Sequence, residues 1–408
     1  MPQKILQILP PHPLRPDYDR SLAPGDVRDD FQRRLEPENF TAAHFTALAA
    51  RLSEALKHSP DDPMLRYQLA FVTMQNAPNA AGLALADELL AGIQQSGAPH
   101  DGDVARLRHL LDGVLSRAGA VRPSDYTVQR VNWSINNRCP MSCRGCYNPF
   151  VDDQITYGQA TMIVDKLARH GSTDLVIAGG DPLLWKPIFD TVDHAIGAGL
   201  KVALDTTGYT LTHEDLERLS RLSTLRLPMD GSTPEVQRAF RRSTDRDLTS
   251  RFKRSLQMCD DVGFRRVRVH TVASRQNIDD LEAIAEIVFG YDSVQQWVVF
   301  QWWGRRASRK LTEEMTVAAA EIESRLAKIR ATYPDKAVIF AEATDREFLN
   351  FMIQSNGQVV TFAAGLSEEF IVGNLLTDEM EEIIAHPILD FAAMRRGVPV
   401  ALQESGTS

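Results

Sequence analysis

The chain has 408 residues, 43% of them hydrophobic, with a formal net charge of −9 and a pI near 5.6. That length exceeds what one core usually fills, so a main domain of about 200–250 residues with an appendage is expected. No apolar run reaches the roughly 18 residues a membrane span needs, and the acidic balance lacks the electrostatic footprint of a general nucleic-acid binder.

Residues 1–38 are rich in proline and charge (Pro10-Pro11-His12-Pro13, Pro16, Pro24-Gly25-Asp26) and lack sustained periodicity, which predicts an extended arm. Residues 39–122 read as an all-α domain. Ala43–His58, Asp62–Gln75, Ala80–Gln94 and Asp101–Arg117 carry apolar residues at i, i+3, i+4 and i+7, with Pro60, Pro63, Pro78 and Pro99 near the breaks. The run from Ala55 to Leu90 resembles a tetratricopeptide repeat, whose stacked helix pairs hold a peptide or protein partner, although a plain helical cap is the preferred reading.

From Tyr126 strand-like runs alternate with helix-like ones. The predicted strands are Val128–Ile135, Leu175–Ala178, Val202–Thr206, Leu225–Met229, Val267–Val272 and Trp297–Phe300. The predicted helices are Tyr157–His170, Pro187–Ala198, His213–Leu222, Leu248–Val262 and Asp279–Phe289. Such alternation implies parallel strands with right-handed crossovers, here six βα units over residues 123–305. In parallel barrels the reactive groups sit on the loops at the C-terminal strand ends. Residues 306–408 then read as a long helix over 306–332 and an extension to about 395 that could lid the barrel, with a final strand Ala337–Ala341.

The chain has four cysteines, and Cys139, Cys143 and Cys146 fall within eight residues on the first βα loop. Three thiolates on one short loop can hold three irons of a [4Fe–4S] cubane and leave the fourth iron without a protein ligand, whereas an electron-transfer cluster normally takes four. A structural zinc site would want a second C-x-x-C pair or histidines at short spacing. The nearest downstream histidines are His170 and His194, and Cys259 shares a helical face with Phe252 and Leu256, which reads as core. A disulfide is disfavoured by the scarcity of cysteine and the absence of a secretory apolar region in Met1–Pro10, so a reducing cytoplasm is expected.

With Cys-x3-Cys-x2-Cys after the first strand, Gly179-Gly180-Asp181-Pro182 after the second and Asp205-Thr206-Thr207-Gly208 after the third, residues 127–305 resemble the radical S-adenosylmethionine (radical SAM) enzymes. The resemblance implies a partial (β/α)6 barrel flanked by the helical domain and the C-terminal extension. It implies one [4Fe–4S] cluster on the three cysteines, SAM chelating the open iron, and reductive cleavage to a 5′-deoxyadenosyl radical that abstracts a substrate hydrogen. By resemblance Gly179, Gly180, Asp181 and Pro182 meet the methionine amino group, where glycine suits a close backbone approach. Asp205 and Thr207 join them as cofactor-binding candidates, and Arg241 or Arg242 would supply a charge-assisted contact to the SAM carboxylate. Three departures stand out. Gly145 replaces an aromatic residue common before the last cysteine, leaving Tyr147 as a candidate for packing near adenine. Asp181 replaces a glutamate, and Pro228 replaces a serine before Asp230-Gly231.

Alternation along the strands sorts the side chains into an apolar set and a polar one. Val131, Trp133 and Ile135 alternate with Arg130, Asn132, Ser134 and Asn136, and Val267, Val269 and Thr271 with Arg266, Arg268 and His270. The polar set predicts a lumen lined by Arg130, Arg226, Arg266, Arg268, His270, Asp205 and Asp230, where a filled barrel would carry branched aliphatics. Guanidiniums there suit a carboxylate or phosphate; the alternative is that these charges only pair with one another. Arg268, His270 and Asp230 are the candidate catalytic residues. In Gln301-Trp302-Trp303-Gly304-Arg305 a core role is expected for both tryptophans. The tail resembles that of peptide-modifying radical SAM enzymes, without its cysteines. The sequence therefore predicts hydrogen abstraction from a polar, anionic small-molecule or peptide substrate, most readily a peptide or natural-product intermediate. An external electron donor such as flavodoxin or ferredoxin and a peptide or protein partner for the helical domain are expected, with no nucleic acid or membrane. The alternatives are a viperin-like nucleotide-modifying enzyme and a non-catalytic helical-repeat protein with a degenerate barrel.

Overall fold

The computed structural model describes residues 31, 41–93, 101–117, 127–146, 148, 154–243, 247–304, 308, 311–343, 351–362 and 369–389. Nearly all of the predicted 1–38 arm, together with Tyr147 and Arg305, lies outside the described residues. The described residues form two compact units, one within Met1–Tyr126, Val360–Gly373 and Glu381–Phe391, the other within Thr127–Val359, Asn374–Met380 and Ala392–Ser408.

The first unit contains helices α1 (Ala42–His58), α2 (Pro63–Asn76), α3 (Ala80–Ala91) and α4 (Asp101–Arg117), close to the predicted bounds. Each of the first three starts at a side-chain cap: Thr41 accepts from His44 N, Asp62 from Met64 N and Leu65 N, and Asn79 from Gly82 N. Pro63 at the first position of α2 loses no intrahelical bond. Helix α1 buries Phe45, Leu48, Leu52 and Leu56 along one stripe, whereas α2 is buried on most of its faces and is the centre of the unit. The tail enters this core: Phe370 packs on Phe71 at 5.0 Å, and the Gln75 amide bonds both backbone groups of Ile371.

The second unit is a parallel sheet in the order β8-β1-β2-β3-β4-β5-β6-β7. The six predicted strands appear as β1 (Arg130–Asn136), β2 (Asp174–Gly179), β3 (Lys201–Asp205), β4 (Thr224–Pro228), β5 (Val267–Ala273) and β6 (Val294–Gln301). The crossovers carry α5 (Tyr157–His170), α6 (Ile188–Gly197), α7 (His213–Arg218), α8 (Pro234–Phe240), α9 (Leu248–Asp261) and α10 (Leu281–Val288). Val131, Trp133 and Ile135 are fully buried, as the alternation predicts. Helix α5 is fixed by a Thr156–Gln159 capping box and ends at Gly171 with φ +91°, a conformation costly for other residues. Cys259 is buried in α9, where desolvation pushes its thiol up to about 12.

Two expectations are corrected here. The long helix over 306–332 is broken into α11 (Thr312–Met315) and α12 (Ala319–Thr332), because Thr316 is extended, Gln301 Nε2 donates to the Val317 carbonyl at 2.9 Å and Arg275 N donates to Met315 O. The strand β7 (Ala337–Ala341) forms beside β6 but is not the last, since β8 (Met352–Ile353), β9 (Gln358–Phe362) and β10 (Glu369–Asn374) follow before α13 (Met380–Ile384). Strand β8 is two residues long, too short for periodicity to reveal.

Candidate active site

The loops leaving β1 and β2 are pressed together by their backbones. Gly180 N donates to Asn136 O at 2.5 Å and Asp181 N to Arg138 O at 2.7 Å, while Asn136 Nδ2 reaches the Asp181 carbonyl at 2.7 Å. A Cβ on Gly179, whose φ is +140°, would lie 2.5 Å from Asn136 O, and one on Gly180 would lie 2.3 Å from Arg138 O. Glycine is therefore a steric requirement of this junction at both positions. On its other flank the cysteine loop is tied to the end of α8, Ser142 N donating to Arg242 O at 2.7 Å and Arg144 N to Phe240 O at 2.8 Å. Both ties bring Cys139, Cys143 and Cys146 onto the wall of one cavity of about 360 Å³.

Asp181 does not line that cavity. It is fully buried, and its carboxylate accepts from Thr206 Oγ1 at 2.7 Å, from Thr207 Oγ1 and N, and from Leu183 N. Burial raises its pKa against the lowering effect of these bonds. Asp181 thus staples the β2 loop to the β3 loop, and Pro182 opens a short 3-10 turn behind it. Gly179, Gly180, Asp205, Thr206 and Thr207 reach the cavity wall.

Arg241 lines the cavity beside the cysteines, with Nη1 3.9 Å from Cys143 Sγ. Its Nε donates to Asp230, which is itself fully buried and accepts from Val272 N at 2.7 Å. Burial works against the Arg241 charge, but Asp230 and Cys143 outweigh it and its pKa is raised. Asp230 was expected in the lumen; it does not line the cavity, because the chain beyond β4 turns it onto Arg241 and the β5 backbone. Arg242 is exposed, and its carbonyl rather than its guanidinium serves the loop. Burial also raises the Cys139 thiol to about 11, with Cys143 and Asp181 adding and a Met141 backbone bond opposing.

The remaining wall is basic. Arg130, Arg226, Arg268 and His270 line it with Asn132 and Asp205, and Arg226 Nη1 lies 3.2 Å from Asp205 Oδ1. Desolvation first, then Arg226, Arg268, Arg130 and Arg241, lowers the His270 pKa well below its usual value, so the imidazole is neutral at pH 7. Arg266 does not join them. It precedes the first residue of β5, and its guanidinium bonds the carbonyls of Leu222 and Ser220 at the opposite strand ends. Trp302 and Trp303 both face the cavity, Trp302 also packing on Phe240 and Met315, so the core role expected for both is only partly met. Sequence reasoning missed Asn136, Thr206 and Phe240 as organisers of the site; the Thr233-Pro234 capping pair is the signal that would have placed α8 before Arg241.

His170 is unsuited to complete a metal site with the cysteines, since its Nε2 takes the amide of Val128. Among the described residues no three His, Cys, Asp or Glu side chains converge on one ion. Three cysteines lining one cavity with no fourth protein ligand among the described residues suit a cluster, which takes one thiolate per iron.

Residues 133–288 match the family model of the Radical SAM superfamily. The barrel is a radical SAM domain. It is similar to the AdoMet-dependent heme synthase of Methanosarcina barkeri, 25% identical over 181 residues that make up 42% of this chain and 50% of that protein. The mycofactocin maturase MftC of Mycolicibacterium smegmatis is 25% identical over 166 residues, 40% of this chain and 42% of the relative. The chain thus spans half or less of the length of these relatives. Among solved structures, Streptococcus suis SuiB bound to its precursor peptide SuiA aligns with a TM-score of 0.52 at 12% identity, over 81% of this chain and 82% of that one, a likeness of fold. Radical SAM domains belong to enzymes that use a [4Fe–4S] cluster and SAM, and the three thiols on one cavity fit that cluster. Among the described residues no helix is long and apolar enough to cross a membrane.

Proposed function

We propose that the chain is a radical SAM enzyme that abstracts hydrogen from an anionic peptide or natural-product intermediate, in a reducing compartment and with an external low-potential electron donor. When bound, the cluster and SAM supply reductive carbon–sulfur cleavage and a carbon radical able to take that hydrogen. Cys139, Cys143 and Cys146 would hold the cluster. Arg241, fixed by Asp230, places a permanent positive charge beside Cys143 and offers a partner to a carboxylate in the cavity. The glycines at 179 and 180 let the β2 loop back the cavity without a side chain intervening.

The observation that carries the substrate reading is the part of the cavity lining where Arg130, Arg226 and Arg268 gather with Asp205. Guanidiniums bind carboxylates and phosphates in bidentate fashion. His270, held neutral, can donate from one nitrogen and accept at the other without adding charge. The precursor peptide named with SuiB supports a peptide substrate. Anaerobic reconstitution tests the reading: about four irons and four sulfides per chain with dithionite-dependent 5′-deoxyadenosine are expected. Stoichiometric zinc with no SAM cleavage would overturn it. Uncoupled cleavage stimulated by nucleotides but by no acidic peptide would move the substrate to the nucleotide class.

A further inference from the structure

The residue between Cys143 and Cys146 that faces the barrel has no side chain, and a ring from another strand stands in its place. Gly145 adopts φ +80°, and a Cβ built on it would fall 2.1 Å from Trp302 Cη2 and 2.7 Å from Cζ3. Trp302 follows the end of β6, where its amide donates to Ala273 O at 2.9 Å. It is 3% exposed and packs edge-on against Phe240 at 6.0 Å and on Met315. Phe240 in turn accepts the amide of Arg144 through its carbonyl. Gly145, Trp302, Phe240, Cys143 and Cys146 all border the same cavity. The indole Nε1 is buried without a hydrogen-bond partner among the described residues, an arrangement that costs energy if nothing else enters the cavity.

We propose that Trp302 is a positioning residue for the cysteine loop, its ring seated in the notch left by Gly145, where it holds Cys143 and Cys146 in place and screens the cluster from water. This rests on the iron–sulfur reading above. The physical basis is packing: an interior at crystal-like density cannot accept both a ring and a side chain at 145, so the two positions are coupled. The ring supplies the cysteine loop with an apolar side-chain contact that the backbone ties to Phe240 and Arg242 do not.

The test compares wild type with Trp302→Phe, Trp302→Ala, Gly145→Phe and the double variant Gly145→Phe/Trp302→Ala. Iron and sulfide per chain, the rate at which the visible cluster absorbance bleaches in air, and the melting temperature are measured on the reconstituted full chain. Trp302→Ala should bleach roughly tenfold faster or more, the scale of losing an outer-shell partner, while Trp302→Phe stays near wild type. Gly145→Phe carries both the clash and the strain of a positive φ. The strain is common to both Gly145→Phe proteins, so it cancels in the double-mutant cycle, and a positive coupling isolates the notch. The double variant should therefore retain more cluster than Gly145→Phe alone. Additive losses, or a Trp302→Ala protein indistinguishable from wild type in loading and bleaching, would overturn the proposal. If Gly145→Phe does not fold, the Phe and Ala variants at 302 still decide it. A wild type that takes zinc in place of iron would sink the cluster reading itself, and coupling in melting temperature would then survive as a packing effect only.

Discussion

The two walls of the cavity are built on opposite principles. On the cysteine wall Arg241 is paired with buried Asp230, and the space around Gly145 is filled by Trp302. On the rest of the lining Arg130, Arg226 and Arg268 stand with Asp205, the one carboxylate lining the cavity among the described residues. The first wall is organised before anything binds and suits a resident cofactor. The second gathers three guanidiniums, groups that bind carboxylates and phosphates, and it suits a substrate.

Removing a thiol should break the comparison most completely. Cys143→Ala is expected to abolish cluster loading and SAM cleavage, with iron content at background, because two thiolates leave two irons of a cubane without a protein ligand. Helical content should be unchanged, since the α1–α4 unit has its own core. Circular dichroism alongside iron analysis checks both halves.

Arg268→Ala probes the other wall. A lost charge-assisted contact is worth about 1.5–3 kcal/mol, so turnover of an anionic substrate should fall roughly 10- to 100-fold, while substrate-free cleavage of SAM changes little. Equal loss of both activities would show that the arginines serve the cofactor and erase the distinction between the walls. Asp181→Ala acts below both. It leaves the hydroxyls of Thr206 and Thr207 buried without their acceptor, and a loss of about 1–3 kcal/mol in denaturant unfolding is expected. Asp181→Asn, which keeps an acceptor oxygen, should lose less.

The sheet was legible because its alternation is strict: Val131, Trp133 and Ile135 on one face, Arg130 and Asn132 on the other, as found. Which end of the barrel a polar residue reaches was not legible. Arg266 and Arg268 share a face by parity, yet Arg266 lies before the first paired residue of β5 and turns to the carbonyls of Leu222 and Ser220. Asp230 likewise follows β4, where strand parity no longer applies, and the loop sends it to Arg241. Asp181 belongs to a motif assigned to the cofactor through its backbone; its side chain turns behind the wall to Thr206 and Thr207, a placement no local pattern announces. The Trp302–Gly145 fit joins positions far apart in sequence, and no local pattern encodes it.

The smallest expected effect comes from His270, and its sign follows from proton counts. The imidazole is buried among Arg130, Arg226, Arg268 and Arg241, with Asp205 the lining carboxylate opposing them, and its folded pKa lies well below the unfolded value of about 6.5. Between the two values the unfolded chain binds more protons than the folded one, so stability rises with pH across that window. The stabilising contribution is fully present above about pH 6.5 and is lost as the pH falls toward the folded pKa, with a slope of at most about 1.4 kcal/mol per pH unit. His270→Gln should remove this slope from the unfolding free energy measured between neutral and mildly acidic pH. The same titration with an anionic substrate present sharpens the comparison of the walls. An anion seated among the arginines offsets the field that depresses His270, so the slope should shrink on binding. An unchanged slope would place the anion on the cysteine wall instead, with Arg241 as its partner.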